Sequence, residues 1–159
     1  MHVREGRPEH TDAVCEIAVA SWHAAYDDIL GADTVAERVA EWYDPAVVRD
    51  YFDDPDVSVY VAGDPIVGYA FCRHYPAENR LHLTAIYVHP ERWGEGVGSA
   101  LIERVEREAR ALGADRVDLV VLAENDVGRG FYERHGYQQV REREETVDDA
   151  RELVYEKPV

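Results

Sequence analysis

The sequence predicts an α/β chain of the mixed α+β kind, with helices inserted early, centrally and late among its strands. Three observations predict it. Leu81 to Val88 and Arg116 to Leu122 are apolar runs of strand length, and the segment between them has helical spacing. Val57 to Ala62 and Ile66 to Tyr75 flank Gly63-Asp64-Pro65, a hairpin signal. Apolar residues near the N-terminus recur instead at helical intervals, as a flanking helix requires.

His2 to Arg7 is short and partly alternating, a first strand. Pro8 suits a helix start, and Ala13, Val14, Ile17, Ala18, Ser21 and Trp22 follow at helical spacing. A second helical stretch runs from Asp33 to Phe52, interrupted near Pro45. The hairpin and the strand Leu81 to Val88 come next. From Glu95 to Leu112, positions Val97, Ala100, Leu101, Val105, Ala109 and Leu112 keep a helical period, and Gly113 marks the stop. Arg104, Arg107 and Arg110 gather toward the negative end of that helix. Arg116 to Leu122 is nearly continuous in apolar residues, hence central. A short helix covers Asp126 to His135, and Tyr137 to Thr146 pairs with Glu152 to Glu156 as a final antiparallel pair. No repeat or low-complexity linker interrupts residues 1–159, which read as one domain large enough to bury a core.

Seventeen basic residues against 33 acidic ones leave a net charge of −16, and Lys157 is the only lysine. Such a surface repels nucleic acid and anionic membrane, so neither is an expected partner. Two explanations stand: adaptation to high intracellular salt, which near-absence of lysine favours, or attraction of cationic substrates. On the first, Asp53 to Asp56 and Glu142 to Glu145 are ordinary solvated faces. Neither a signal peptide nor a membrane-spanning run of about 18 apolar residues is evident. Cys15 and Cys72 sit in apolar helix and strand contexts as small core residues of a reducing compartment, not a disulfide or metal pair. A cytoplasmic location without a metal is the expectation.

The segment Leu81 to Ser99, LHLTAIYVHPERWGEGVGS, carries the most chemistry. A strand breaks at His89-Pro90, and Gly94, Gly96 and Gly98 lead into a helix. Glycines there let a ligand approach the backbone, and the helix start leaves N–H groups without partners at the positive end of its dipole. That suits a pyrophosphate. A triphosphate loop requires Gly-Lys-Ser/Thr, absent here. A dinucleotide fingerprint requires Gly-x-Gly-x-x-Gly, whereas the loop reads GEGVG; Asp118, at the spacing of a ribose-binding acid, lies inside an apolar run. A turn that merely starts a helix is the bland alternative.

A second block decides among these: Asn125 to Tyr137 reads NDVGRGFYERHGY. With Val88, Pro90, Gly96 and Gly98 in the first block, and Asn125, Phe131, Tyr132, Gly136 and Tyr137 in the second, the chain closely resembles the GNAT family of acyl-CoA-dependent N-acetyltransferases. Two departures stand out. Trp93 occupies the family's Arg/Gln position, with Arg92 one place early, and Gly128 replaces the usual Ala. The resemblance spans most of the chain and implies the family fold, a mixed, mostly antiparallel sheet flanked by helices.

The resemblance also implies roles. Acetyl-CoA is the expected co-substrate, its pantetheine arm on the backbone of Ile86, Tyr87 and Val88 and its thioester carbonyl polarised by the N–H of Val88. Its pyrophosphate is expected on Trp93, Gly94, Glu95, Gly96, Val97, Gly98 and Ser99. Asn125 is expected to contact the cofactor, and it equally suits a helix N-cap. Tyr132 is the candidate acid for the departing thiolate, since a phenol of pKa about 10 holds a proton at neutral pH; the alternative is a buried structural tyrosine. His82 stands where many relatives carry Glu and is the candidate base, with His74, His89 or a water chain as rivals. Trp22 and Tyr26, four apart on one helix face, are candidates for acceptor binding or for core packing with Val14 and Ala18.

These expectations describe an N-acetyltransferase acting on a primary amine of a small molecule or protein N-terminus by direct attack in a ternary complex. No cysteine falls within the site motifs to form an acyl-enzyme. The other class is a non-catalytic acyl-CoA-binding module, which has no use for Tyr132. Dimers are common among relatives, so a homodimer is within the expectation.

Overall fold

The computed structural model describes residues 2–144, 146 and 148–159. Glu145, expected on a solvated face and within the last strand pair, lies outside the described residues. Among the described residues, seven strands form one sheet in the order β1-β2-β3-β4-β5-β7-β6. They are β1 (Val3–Glu5), β2 (Val57–Ala62), β3 (Gly68–Tyr75), β4 (Arg80–Val88), β5 (Arg116–Leu122), β6 (Gln138–Glu142) and β7 (Glu152–Pro158). All neighbours pair antiparallel except β4 and β5, which run parallel. The single parallel pair follows from its connection: a crossover helix, not a hairpin, joins β4 to β5.

Among the described residues, five α-helices cover the two faces. They are α1 (Thr11–Leu30), α2 (Ala32–Trp42), α3 (Pro45–Asp53), α4 (Val97–Ala111) and α5 (Asp126–Arg134). Pro8 starts a single 3₁₀ turn before α1 begins at Thr11. The second helical stretch is interrupted near Pro45 as expected, α2 stopping at Trp42 and α3 starting at Pro45, and Asp44 caps α3 by accepting from Ala46 N–H at 2.9 Å. On one face α4 buries Val97, Leu101, Ile102, Val105 and Ala109 against Leu81, Leu83, Val117, Leu119 and Tyr155, with Phe131 and Tyr132 of α5 packed alongside. On the other, Val14, Ile17 and Ala18 of α1, Val35 and Val39 of α2 and Val48 of α3 pack on Val59, Val61, Tyr69 and Phe71. The sheet thus separates two cores. Among the described residues no helix is long and apolar enough to cross a membrane.

Boundaries move where local chemistry overrides pattern. β3 begins at Gly68, not Ile66, because Val67 N–H closes the hairpin turn on Ala62 C=O. β6 stops at Glu142 with all five of its residues exposed: one edge strand has no apolar face to sustain it to Thr146. Cys72 is fully buried as expected, but Cys15 is only half-buried, and burial pushes both thiols up.

Candidate active site

The site begins with a strand that leaves its neighbour. β4 pairs with β5 only through Arg80–Leu83 against Arg116–Leu119, although both strands continue. At the parting point Phe71 pairs with Ala85 and Cys72 with Leu83, so Thr84 is an extra residue in β4. A bulge of this kind bends the bulged strand, and here it opens a gap between β4 and β5.

The open edge of β4 presents specific donors. His89 N–H donates to Val67 C=O at 2.8 Å, so in this antiparallel ladder residues in step with His89, including Tyr87, face β3. Ile86 and Val88 are out of step and direct their N–H and C=O groups to the gap. The Val88 carbonyl is taken by the indole N–H of Trp93 at 2.8 Å, which leaves the Val88 N–H. Tyr87 turns its backbone to β3 and packs its ring on Trp22 and Tyr26 on the α1 side.

Beyond β4, Pro90–Arg92 form a short turn, with His89 Nδ1 accepting from Glu91 N–H at 3.2 Å. Gly94 and Gly96 adopt φ +82° and +85°, where a side chain is strained, and Gly96 is the N-cap of α4 without a side-chain cap. The first backbone bond of α4 runs from Ala100 N–H to Gly96 C=O at 3.1 Å, so Val97, Gly98 and Ser99 have N–H groups free of helix partners. A Cβ on Gly98 would meet Phe131 at 3.2 Å; glycine lets α5 close against this helix start. Glu95 turns outward to Arg92 at 3.3 Å, and Ser99 Oγ lies 3.0 Å from His135 Nε2.

Asn125 caps α5, its Oδ1 accepting from Gly128 N–H at 2.9 Å. A Cβ on residue 128 would lie 2.5 Å from Asn125 Nδ2, so glycine in place of the family's Ala makes room for this cap. Tyr132 projects from α5 on the α4 side of the gap, half-buried, and burial pushes its phenol up, so it stays protonated.

On the opposite face lies a cleft of about 390 Å³, walled by Trp22, Tyr26, Trp42, Tyr43 and Tyr87 and edged by His82. Trp22 and Tyr26 meet edge to face at 4.7 Å, and both also pack on the core beneath α1, so cleft wall and core support coincide. His82 points its Nδ1 at Asp118 Oδ1, 2.8 Å away across the β4–β5 pair. His74, a rival for its role, is not among the cleft's walls, and His89 is engaged in its turn. Asp118 had one visible signal in the sequence, a charge interrupting an apolar strand; Thr84 and Tyr43 had none.

The two chemistries therefore sit on opposite faces: His82 with the aromatic cleft on the α1 side, Tyr132 and the glycine loop on the α4 side. They meet at the gap. The residues present fit a phosphopantetheine ligand, with a strand edge for its amide groups and a helix start for its phosphates.

A sequence model described as the acetyltransferase (GNAT) family matches residues 12–137. Solved structures share the fold. The PaiA N-acetyltransferase from Thermoplasma acidophilum, in complex with coenzyme A, is 21% identical with a TM-score of 0.87, over 99% of this chain and 98% of that one. Ard1 from Thermoplasma volcanium is 20% identical (TM-score 0.77; 99% and 97% covered). The ribosomal-protein-S18-alanine N-acetyltransferase from Escherichia coli is 16% identical (TM-score 0.75; 99% and 92% covered).

Proposed function

The chain belongs to the GNAT family of acetyl-CoA-dependent N-acetyltransferases, and on that premise we propose that it acetylates a primary amine, of a small metabolite or a protein N-terminus, by direct attack in a ternary complex. One observation carries this: β4 parts from β5 after Leu83, which leaves Ile86 and Val88 on an open strand edge that leads to the uncapped start of α4.

Acetyl-CoA supplies an activated acetyl thioester. Ile86 and Val88 would pair with its pantetheine arm, and the N–H groups of the Trp93–Ser99 segment would hold its pyrophosphate beside Asn125. The aromatic cleft of Trp22 and Tyr26 receives the amine. His82 Nε2 accepts one proton from the ammonium, whose nitrogen then attacks the carbonyl carbon. The Val88 N–H faces the developing oxyanion. As the C–S bond breaks, the Tyr132 hydroxyl gives its proton to sulfur and recovers one from the new amide nitrogen. The reaction releases one net proton, held on His82 until solvent takes it.

We further place the enzyme in the cytoplasm, with residues 1–159 as one domain and without nucleic-acid or membrane partners, in line with its net charge of −16. The test is a panel of small primary amines and short peptides, with free thiol release and product mass as readouts. Acetyl-CoA binding with no transfer to any amine of the panel would instead favour a non-catalytic acyl-CoA-binding module.

A further inference from the structure

Asp118 holds the imidazole of His82 from behind, and the geometry fixes which nitrogen is which. The two residues face each other in the β4–β5 register, with Nδ1 to Oδ1 at 2.8 Å. A carboxylate oxygen only accepts, so Nδ1 must carry the hydrogen. The lone pair of a neutral His82 is then on Nε2, the nitrogen turned from Asp118.

Asp118 is itself pinned. Arg80 Nη1 lies 3.0 Å from its Oδ2 and 3.2 Å from its Oδ1, and the Arg80 guanidinium stacks over the Tyr75 ring at 4.1 Å. The Asp118 side chain is only 14% exposed. Burial alone pushes its carboxyl up, but the hydrogen bond from His82 and the charges of His82 and Arg80 outweigh it and hold the group below the ordinary carboxylate range. Charged neighbours across the sheet have partners of their own. Arg73, opposite His82, bonds Asp54 at 3.0 Å. Glu156, opposite Asp118, lies 3.5 Å from Arg116. Glu78 bonds Arg80 at 3.2 Å. Among the described residues, Asp118 is thus the carboxylate committed to His82.

We propose that Asp118 is a positioning residue of acetyl transfer, fixing His82 as the Nδ1–H tautomer so that Nε2 takes the proton of the acceptor ammonium. The role rests on His82 being the base. During the step one proton moves from the ammonium to Nε2, and the Nδ1–H stays on nitrogen beside an Asp118 that remains ionised.

Nitrogen-edited histidine NMR of the wild-type protein, with His82→Ala to assign the signal, reads the tautomer directly. The expected result is a neutral His82 protonated at Nδ1 alone, becoming a tautomer mixture in Asp118→Asn. In steady-state kinetics Asp118→Asn lowers kcat by about 10- to 100-fold while acetyl-CoA binding and the amine KM stay within about twofold. In a His82→Ala background the same substitution costs nothing more. An Nε2–H tautomer in the wild type overturns the proposal, as does an equal kcat loss in both backgrounds. If His82→Ala slows transfer but Asp118→Asn does not, the positioning role fails and the base assignment survives. If His82→Ala leaves the rate unchanged, both fail. Should Asp118→Asn not fold, the wild-type tautomer decides alone.

Discussion

The hydroxyls of Tyr26 and Tyr87 meet at 2.8 Å, joining α1 to the open end of β4. Burial pushes both phenols up, so both stay protonated and one donates to the other. Trp22 completes the cluster, its ring 4.7 Å from Tyr26 and 5.8 Å from Tyr87. The cleft proposed for the amine and the strand edge proposed for acetyl-CoA therefore share one aromatic contact.

Tyr132→Phe keeps the ring that packs on the α4 core and removes only the hydroxyl. The expected result is a fall in kcat of at least about 100-fold with acetyl-CoA affinity unchanged. Steady-state rates beside calorimetric titration check it. Equal loss of both would reduce Tyr132 to a structural residue.

The cap of α5 depends on a glycine. Asn125→Ala is expected to cost about 1 kcal/mol in the wild type, from the lost bond to Gly128 N–H. In Gly128→Ala, whose Cβ displaces the Asn125 side chain, the same substitution should cost under about 0.3 kcal/mol. Denaturant unfolding of the four variants measures the difference. Identical costs in both backgrounds would contradict it.

The only lysine holds a buried carboxylate. Lys157 Nζ lies 2.9 Å from Oε1 of Glu106, which is 5% exposed and also accepts from the Tyr137 hydroxyl at 3.1 Å. Lys157→Ala leaves that charge to the Tyr137 hydroxyl and to Arg110, 3.9 Å from the same oxygen, and should destabilise the fold by about 2 kcal/mol. Adding Glu106→Gln should recover much of the loss. Thermal unfolding that ranks the double variant below the single one would refute this.

A net charge of −16 on a chain of 159 residues also has a salt signature. Screening of self-repulsion should raise the melting temperature between low salt and molar KCl. Equal melting temperatures in both would remove the case for salt adaptation.

Much of the fold was legible in the sequence because its signals were local. The hairpin at Gly63–Pro65, the strand before Gly94, and the helix stops at Gly113 and Gly136 all rest on residues near one another in the chain. The glycine loop was legible for the same reason, although α4 starts at Val97 and not Glu95, since Gly96 is its cap. What stayed hidden depends on register between distant strands. Asp118 meets His82 only because a parallel crossover sets Arg80 against Arg116. Sequence spacing does not specify that register. Trp93 likewise gave no sign that its indole folds back onto the Val88 carbonyl.

Calorimetric titration with acetyl-CoA, with NAD as control and in molar KCl, decides whether the β4 edge and the α4 start bind the cofactor. Micromolar binding of acetyl-CoA with none of NAD is the expected result, and alanine at Gly96, whose φ is +85°, should weaken it. No binding of acetyl-CoA would contradict the β4 edge and the α4 start as its cradle.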